Sequence, residues 1–194
     1  MVVTNPLPRC GRKGVFLSAV RHVEFVVDTA IGSERSGPRQ EITVHDLTAK
    51  INGIISDNNI DTGVATIASL HTTTSIIVNE YEAFLAGDLR DWVLRTIDPS
   101  YPYRHNDIDE RPSGKEEYDR CIENGFAIDD AVELKRWREQ EPINAHSHIA
   151  AIVCGGSTSL PIVDSSLRIG QWNSVMLVDF DGPRNRTVTV TIIN

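Results

Sequence analysis

Three histidines stand out by residue type and setting. His71 closes an alternating apolar run and is followed by Thr72, Thr73 and Thr74. His105 lies in Tyr103-Arg104-His105-Asn106-Asp107, and His148 in Asn144-Ala145-His146-Ser147-His148, at the head of an expected helix. Neutral imidazole is the commonest metal ligand, and three of them leave an open coordination position. One reading therefore brings one histidine from each of three elements onto a divalent metal. The other leaves each as a surface or capping residue. His146 and His148 are two apart, so on a helix they point in different directions and would not share an ion.

Carboxylates and guanidinium groups add to this set. Asn79-Glu80 ends a second short strand, where Glu80 could act as a general base or hold a metal-bound water. Alternatively Glu80 and Glu82 favour the positive end of the helix that follows. Asp181-Gly182-Pro183-Arg184-Asn185-Arg186 has the composition of a tight turn between strands. Arg184 and Arg186 could there offer planar bidentate donors to a phosphate, with Asp179 and Asp181 competing for them. Gly155-Gly156-Ser157-Thr158 is a weak anion cradle, because the helix C-terminus it follows disfavours anions. Cys154 follows an apolar run and reads as a small core residue.

The elements that must position these groups are legible in outline. Val15 to Asp28 reads as one or two strands, after a Pro-, Gly- and basic-rich lead-in over residues 1–14. Gly32 to Gln40 reads as a polar loop. Ile42 to Asn58 reads as a helix capped by Thr43 and Asp46, with Val44, Leu47, Ile51, Ile54 and Ile55 at helical spacing. Val64 to Leu70 and Ser75 to Val78 read as strands. Tyr81 to Ile97 reads as a helix burying Phe84, Leu85, Leu89, Trp92, Val93 and Ile97, stopped by Pro99 and Pro102. Residues 103–143 are polar, with a short amphipathic helix over Asp129 to Glu139 carrying Ala131, Val132, Leu134 and Trp137. Residues 112–140 read as a surface insertion. Asn144 to Cys154 is a helix closed by Gly155-Gly156. Four β-rich runs follow: Leu160–Val163, Leu167–Ile169, Ser174–Phe180 and Arg186–Ile193. Strands flanking helices without regular βαβ alternation predict an α+β fold with a mainly antiparallel sheet and packed helices.

Composition bounds the function. The chain has 194 residues, enough for a single domain with a sizeable core. Its 19 basic and 27 acidic side chains give a net charge of −8. That balance argues against nucleic-acid binding. No apolar run approaches the roughly 18 residues of a membrane helix, and residues 1–14 lack an apolar signal-peptide core. Three cysteines without a CxxC pair fit a reducing, cytoplasmic setting.

Six blocks, in order, resemble the YjbQ-type family, often described as secondary thiamine-phosphate synthases. His71-Thr72-Thr73-Thr74-Ser75-Ile76-Ile77-Val78-Asn79-Glu80 is similar to its HTTA-x-x-x-INE signature. Tyr103 to Asp107 is similar to Y-x-H-[DN]-D, and Asn144 to His148 to N-[GA]-x-[AS]-H. Gly156 to Ile162 and Arg168 to Asn173 are similar to its GSS-x-x-x-PV and L-G-T-W-Q blocks. Asp181-Gly182-Pro183-Arg184-Asn185-Arg186 is similar to DGPR-x-R. The resemblance covers roughly residues 22–111 and 141–194, so the segment between is extra. Two positions depart from the pattern: Gln171 and Asn173 flank Trp172 in place of Thr and Gln, and Cys154 replaces a common Leu or Met.

The resemblance implies a compact α+β domain over residues 15–194 and a homotrimer with its site near a subunit boundary. It implies that His71, His105 and His148 share one pocket as metal ligands, with Asn79 and Glu80 nearby and His146 structural. It further implies an enzyme that joins a pyrimidine-methyl pyrophosphate to a thiazole phosphate, with Arg184 and Arg186 as the phosphate clamp and Glu80 as acid/base. Magnesium–pyrophosphate chemistry prefers oxygen ligands, whereas three histidines prefer zinc or another transition metal. That mismatch leaves open the synthase reaction as a side activity. A metal-dependent hydrolase of a small substrate is the second expectation. The third is a non-catalytic trimer that binds a small phosphorylated or anionic metabolite.

Overall fold

The computed structural model describes residues 19–30 and 41–194, so the lead-in and the polar loop of residues 32–40 lie outside the described residues. Every strand pairing is antiparallel. One sheet has five strands in the order β1 (Val20–Asp28), β8 (Asn185–Ile193), β3 (Gly63–Ser69), β5 (Ser157–Val163), β6 (Ser166–Leu167). The second has three, β2 (Glu41–Asp46), β7 (Ser174–Gly182) and β4 (Thr74–Asn79), with β7 in the centre. Helices α1 (Thr48–Asp57), α2 (Ala83–Thr96), α3 (Lys115–Glu123), α4 (Ala131–Gln140) and α5 (Ala145–Cys154) complete the α+β domain, and two 3-10 turns lie at Arg104–Asn106 and Ile108–Glu110.

The expected helix over Ile42–Asn58 divides at Leu47. Residues 41–46 form β2, with Thr43 opposite Asp179 and Val44 opposite Val178 on β7. The β-branched run Ile42-Thr43-Val44 is better served by an open sheet edge than by a helix. Thr43 is no cap, for its hydroxyl meets His45 Nε2 at 2.9 Å. Helical spacing applies from Leu47 onward, and Ile51 and Ile55 reach full burial. They join Ala65, Ile67, Val175, Leu177, Val188, Val190 and Ile192 in the main core between the sheets.

The expected buried face of Tyr81–Ile97 is only half right. Helix α2 begins at Ala83 because the Glu82 carboxylate caps it, accepting from the Phe84 and Leu85 N–H groups at 2.9 Å each. Val93 and Ile97 are buried with Ala150, Ala151, Val178 and Phe180, and Leu89 packs beside them. Phe84, Leu85 and Trp92 are exposed, Phe84 by 84%. Leu85 and Trp92 stay exposed because, with Leu89, they border an open groove against Val44, Ile77 and Met176 of the small sheet.

The segment between Arg111 and Glu141 carries α3 and α4 and a small core of Cys121, Ile128 and Trp137, with Tyr118 and Leu134 against it. Val132, expected on the buried face of α4, is exposed. The charged α3 gave no apolar periodicity to read. Lys115–Asp119 and Arg120–Glu116 pairs four residues apart run along it. Helix α5 stops at Gly155, whose φ of +86° suits a residue without a side chain. Cys154 packs against the α2–α5 core, as read from sequence.

Candidate functional site

His71, His105 and His148 line one polar cavity of about 330 Å³, with Arg111, Glu141, Asn144, Asp181 and Arg184 also in its wall. Each histidine arrives on a different element. His71 sits in the turn between β3 and β4, where its backbone N–H reaches Ser69 Oγ at 3.3 Å and Thr74 Oγ1 donates to its carbonyl at 3.1 Å. A very short hydroxyl contact joins Ser69 and Thr74 across the turn. His105 is in the first 3-10 turn, and His148 in the first turns of α5. The His105 and His148 rings meet edge to face, 4.8 Å between centroids.

All three imidazoles favour the neutral form. Burial lowers the pKa of His71, with Arg186 and Arg184 acting in the same direction against Asp179. Burial also leads for His105, followed by Arg111 and opposed by Glu141, Glu117 and Asn144. For His148 burial comes first and then His105, opposed by Asp181 and the Thr72 backbone. Neutral rings near pH 7 can act as bases or ligands.

Their availability differs. Thr187 N–H donates to His71 Nε2 at 2.8 Å, so that lone pair is taken and the proton sits on Nδ1. Among the described residues no group of three or more His, Cys, Asp or Glu side chains is arranged to hold a metal ion. His105 and His148 have the chemistry for such a role; His71, with this tautomer, does not.

The two arginines divide by environment, through the carboxylate competition visible in the sequence. Arg186 is 3% exposed and bound bidentately to Asp179, Nε to Oδ2 at 2.8 Å and Nη2 to Oδ1 at 2.5 Å. Nη2 also donates to the Asp181 carbonyl at 3.1 Å. Asp179 further accepts from Thr29 Oγ1 and the Asp181 N–H. Arg186 also lines the cavity, but its Nε and Nη2 are committed to bracing Asp179 and the Asp181 carbonyl. Arg184 keeps a half-exposed side chain at the cavity and leans on Asp181 Oδ2 at 3.0 Å.

Asn79 and Glu80 do not join the histidines within one chain. Asn79 ends β4 and Glu80 follows it, so they lie roughly 17 Å or more along the strand from Thr74 at 3.4 Å per residue. They line a separate apolar groove of about 260 Å³ with Leu85, Leu89 and Trp92. The expected nearness of Glu80 to His71 is therefore corrected for the single chain: strand length sets them apart.

Asn144 and Arg111 belong to the site and were not among the expected residues. Arg111 is held by Glu117 at 2.8 Å and Glu141 at 3.1 Å and lies 5.4 Å from the Trp137 ring centroid. Asn144 is a cap-type residue at the head of α5, yet its side chain caps nothing; Asn106 Oδ1 instead accepts from Ala145 N–H at 3.1 Å. Its place before the helix and at the head of the Asn144–His148 block were the readable signals.

Comparison with known proteins agrees with this architecture. Residues 35–194 match the family model described as UPF0047 protein YjbQ-like. The chain belongs to the YjbQ-like family. A family protein of Methanothermobacter thermautotrophicus is 26% identical over 153 residues, covering 79% of this chain and 84% of its own. The Bacillus subtilis family protein YugU is 25% identical, over 76% of this chain and 87% of its own. A YbjQ-like protein of unknown function from Sulfolobus solfataricus superposes with a TM-score of 0.65 at 25% identity, over 91% of this chain and 99% of that one. A hypothetical protein of Aeropyrum pernix gives a TM-score of 0.63 at 25% identity, covering 88% and 96%. No helix among the described residues is long and apolar enough to cross a membrane.

Proposed function

We propose that this chain is an enzyme acting on a small phosphorylated or otherwise anionic metabolite in the His71–His105–His148 cavity. The observation that carries the reading is one cavity lined by three imidazoles of lowered pKa and the half-exposed guanidinium of Arg184. Arg184 holds the anion. His105 and His148 move protons, since their rings are in contact inside the cavity and both favour the neutral form. His71 is a positioning residue, tying the β3–β4 turn to β8. The synthase reaction implied by the family resemblance belongs to this class, because pyrophosphate release needs donors for developing negative charge.

Titration calorimetry with inorganic phosphate and pyrophosphate tests the reading. Both bind the wild type, and Arg184→Met weakens them about tenfold, the worth of one charge-assisted pair. Absence of binding by either anion overturns it. For the synthase step, rescue of a thiamine-requiring strain is lost in His148→Ala; a variant that rescues as well as the wild type removes the histidine from that chemistry.

The proximity of His105 and His148 in the cavity suggests a second reading, a metal-assisted hydrolase in which these two rings would hold a transition metal that would supply an activated water. About one zinc, nickel or iron per chain in tag-free protein, lost in His105→Ala, supports it; no metal in the wild type rejects it.

A further inference from the structure

We infer that the ligand extends from the histidine cavity past His105 and Arg111 into an adjoining chamber, and that the part lodged there is a hydroxyl-bearing chain rather than a second anion. The inference rests on the anion reading above and narrows its substrate class to esters of a phosphate-like anion with a polyol or sugar.

The chamber measures about 420 Å³ and is walled by Arg104, Asp107, Glu110, Ser113 and Glu117. His105 and Arg111 line both spaces, so the two are neighbours with these side chains between them. His105 is exposed and Arg111 partly so. An ester whose anion sits at Arg184 has this passage for its substituent.

Arg111 is fixed at the passage. Its Nε and Nη2 each reach Glu117 Oε1 at 2.8 Å, and Nη1 reaches Glu141 Oε2 at 3.1 Å. A guanidinium carries five N–H groups, so one on each Nη remains for a ligand. The Trp137 ring lies beside it, 5.4 Å from centroid to guanidinium, and Arg138 Nε donates to its backbone carbonyl at 2.9 Å. Glu117, Trp137 and Arg138 all belong to the segment between Arg111 and Glu141. The packing of that segment therefore serves the passage. A side chain ordered in advance can hydrogen-bond a ligand with little further loss of rotamer freedom.

Charge decides what the chamber accepts. Glu117 and Glu141 offset Arg111, and Glu117 also accepts from the Ser113 N–H at 2.7 Å and its hydroxyl at 2.9 Å. Among the described residues the side chains of Arg104, Asp107 and Glu110 make no hydrogen bond or ion pair, so they are open to a ligand. Backbone bonds fix the turns that carry them, from the Asp107 N–H to the Arg104 carbonyl at 3.1 Å and from the Glu110 N–H to the Asp107 carbonyl at 3.0 Å. The carboxylates of Asp107, Glu110 and Glu117 outnumber the guanidinium groups of Arg104 and Arg111. That surplus opposes a second phosphate and favours hydroxyl donors. Every residue lining the chamber is polar or charged, so an alkyl chain gains little by entering it.

Titration calorimetry on the full chain compares inorganic phosphate, hexyl phosphate and sorbitol 6-phosphate, the two esters having equal carbon length. The expected result is that sorbitol 6-phosphate binds about tenfold or more tightly than hexyl phosphate. That ratio falls by roughly threefold or more in Glu117→Gln, which loosens Arg111, and in the double variant Asp107→Ala with Glu110→Ala. The Asp107 and Glu110 side chains are exposed and bond to nothing internal, so the double variant keeps the test open if Glu117→Gln fails to fold. Equal affinities of the two esters in the wild type overturn this inference and leave the anion reading intact. A ratio unchanged in the double variant overturns the assignment of the chamber, and one unchanged in a folded Glu117→Gln overturns the role of Arg111. Failure of all three probes overturns both readings together.

Discussion

Arg186 and Arg184 occupy one short turn, and the structure assigns them opposite roles that a pair of substitutions can separate. Arg186→Met leaves the Asp179 carboxylate, 0% exposed, with Thr29 Oγ1 and the Asp181 N–H but no counter-charge. Removing one partner of a buried, hydrogen-bonded ion pair costs about 3–5 kcal/mol. For a chain of this size each kcal/mol lowers the melting temperature by roughly 2–4 °C, so the expected fall is roughly 6–20 °C. The Arg184 side chain is 49% exposed, and its pair with Asp181 is worth about 0–1 kcal/mol. Arg184→Met should melt within a few degrees of the wild type while losing phosphate affinity. The assay is thermal unfolding followed by circular dichroism, with phosphate titration on the same samples. Combining Asp179→Leu with Arg186→Met should recover at least half of the lost stability, because the stranded charge is gone. The reasoning is refuted if Arg186→Met melts like the wild type yet loses phosphate binding. Arg186 would then be the clamp expected from sequence.

Three further outcomes are expected. In a zinc titration followed by equilibrium dialysis, binding is lost in His105→Ala and His148→Ala and kept in His71→Ala, since His71 Nε2 is engaged by Thr187; equal loss in all three contradicts that tautomer. For Glu117, burial pushes the carboxyl up but is outweighed by the Ser113 N–H, the Arg111 guanidinium and the Ser113 hydroxyl, which hold it at about 2 instead of 4.5. A lowered carboxyl pKa stabilises the fold above the unfolded value and loses that contribution as pH falls from about 4.5 towards 2. Hydrogen exchange in α3 and α4 should rise across that window in the wild type and be already raised at pH 6 in Glu117→Gln; a flat wild-type profile removes Glu117 from the account. In Gly182→Ala the new Cβ would stand 2.7 Å from Asp179 Oδ2 and 3.2 Å from Thr29 Oγ1. It should lower stability by about 1–3 kcal/mol in urea unfolding, and an unchanged midpoint shows that the carboxylate is free to move.

The reach of local information explains what the sequence showed. Strands β3 and β8 were legible because apolar and polar residues alternate in them with period 2, and β4 and β7 because each carries a short run of Ile, Val, Met or Leu bounded by polar residues. Helix α5 was legible because an apolar run ends in two glycines. The exposed face of α2 and the strand at 41–46 were not. Leu85 and Trp92 carry the same residue types as buried positions, and Ile42-Thr43-Val44 runs without a break into a helix of similar composition. Which stripe meets a sheet, and which residues pair across one, depends on partners distant in sequence, as when Val93 meets Val178 and Thr43 faces Asp179.

The same division holds for the site. Histidine type, the carboxylates near the two arginines and the ordered motif blocks were present in the sequence, and they pointed to one cavity and one family. What each group is free to do was decided by tertiary structure. Thr187 occupies His71, Asp179 occupies Arg186, Asp181 turns Asn144 away from its own helix, and the length of β4 carries Glu80 away from the histidines. A hydrogen bond saturates over about 3 Å, so the fate of a lone pair is settled by the one neighbour that reaches it. That neighbour is chosen by the packing of strands and helices distant in sequence.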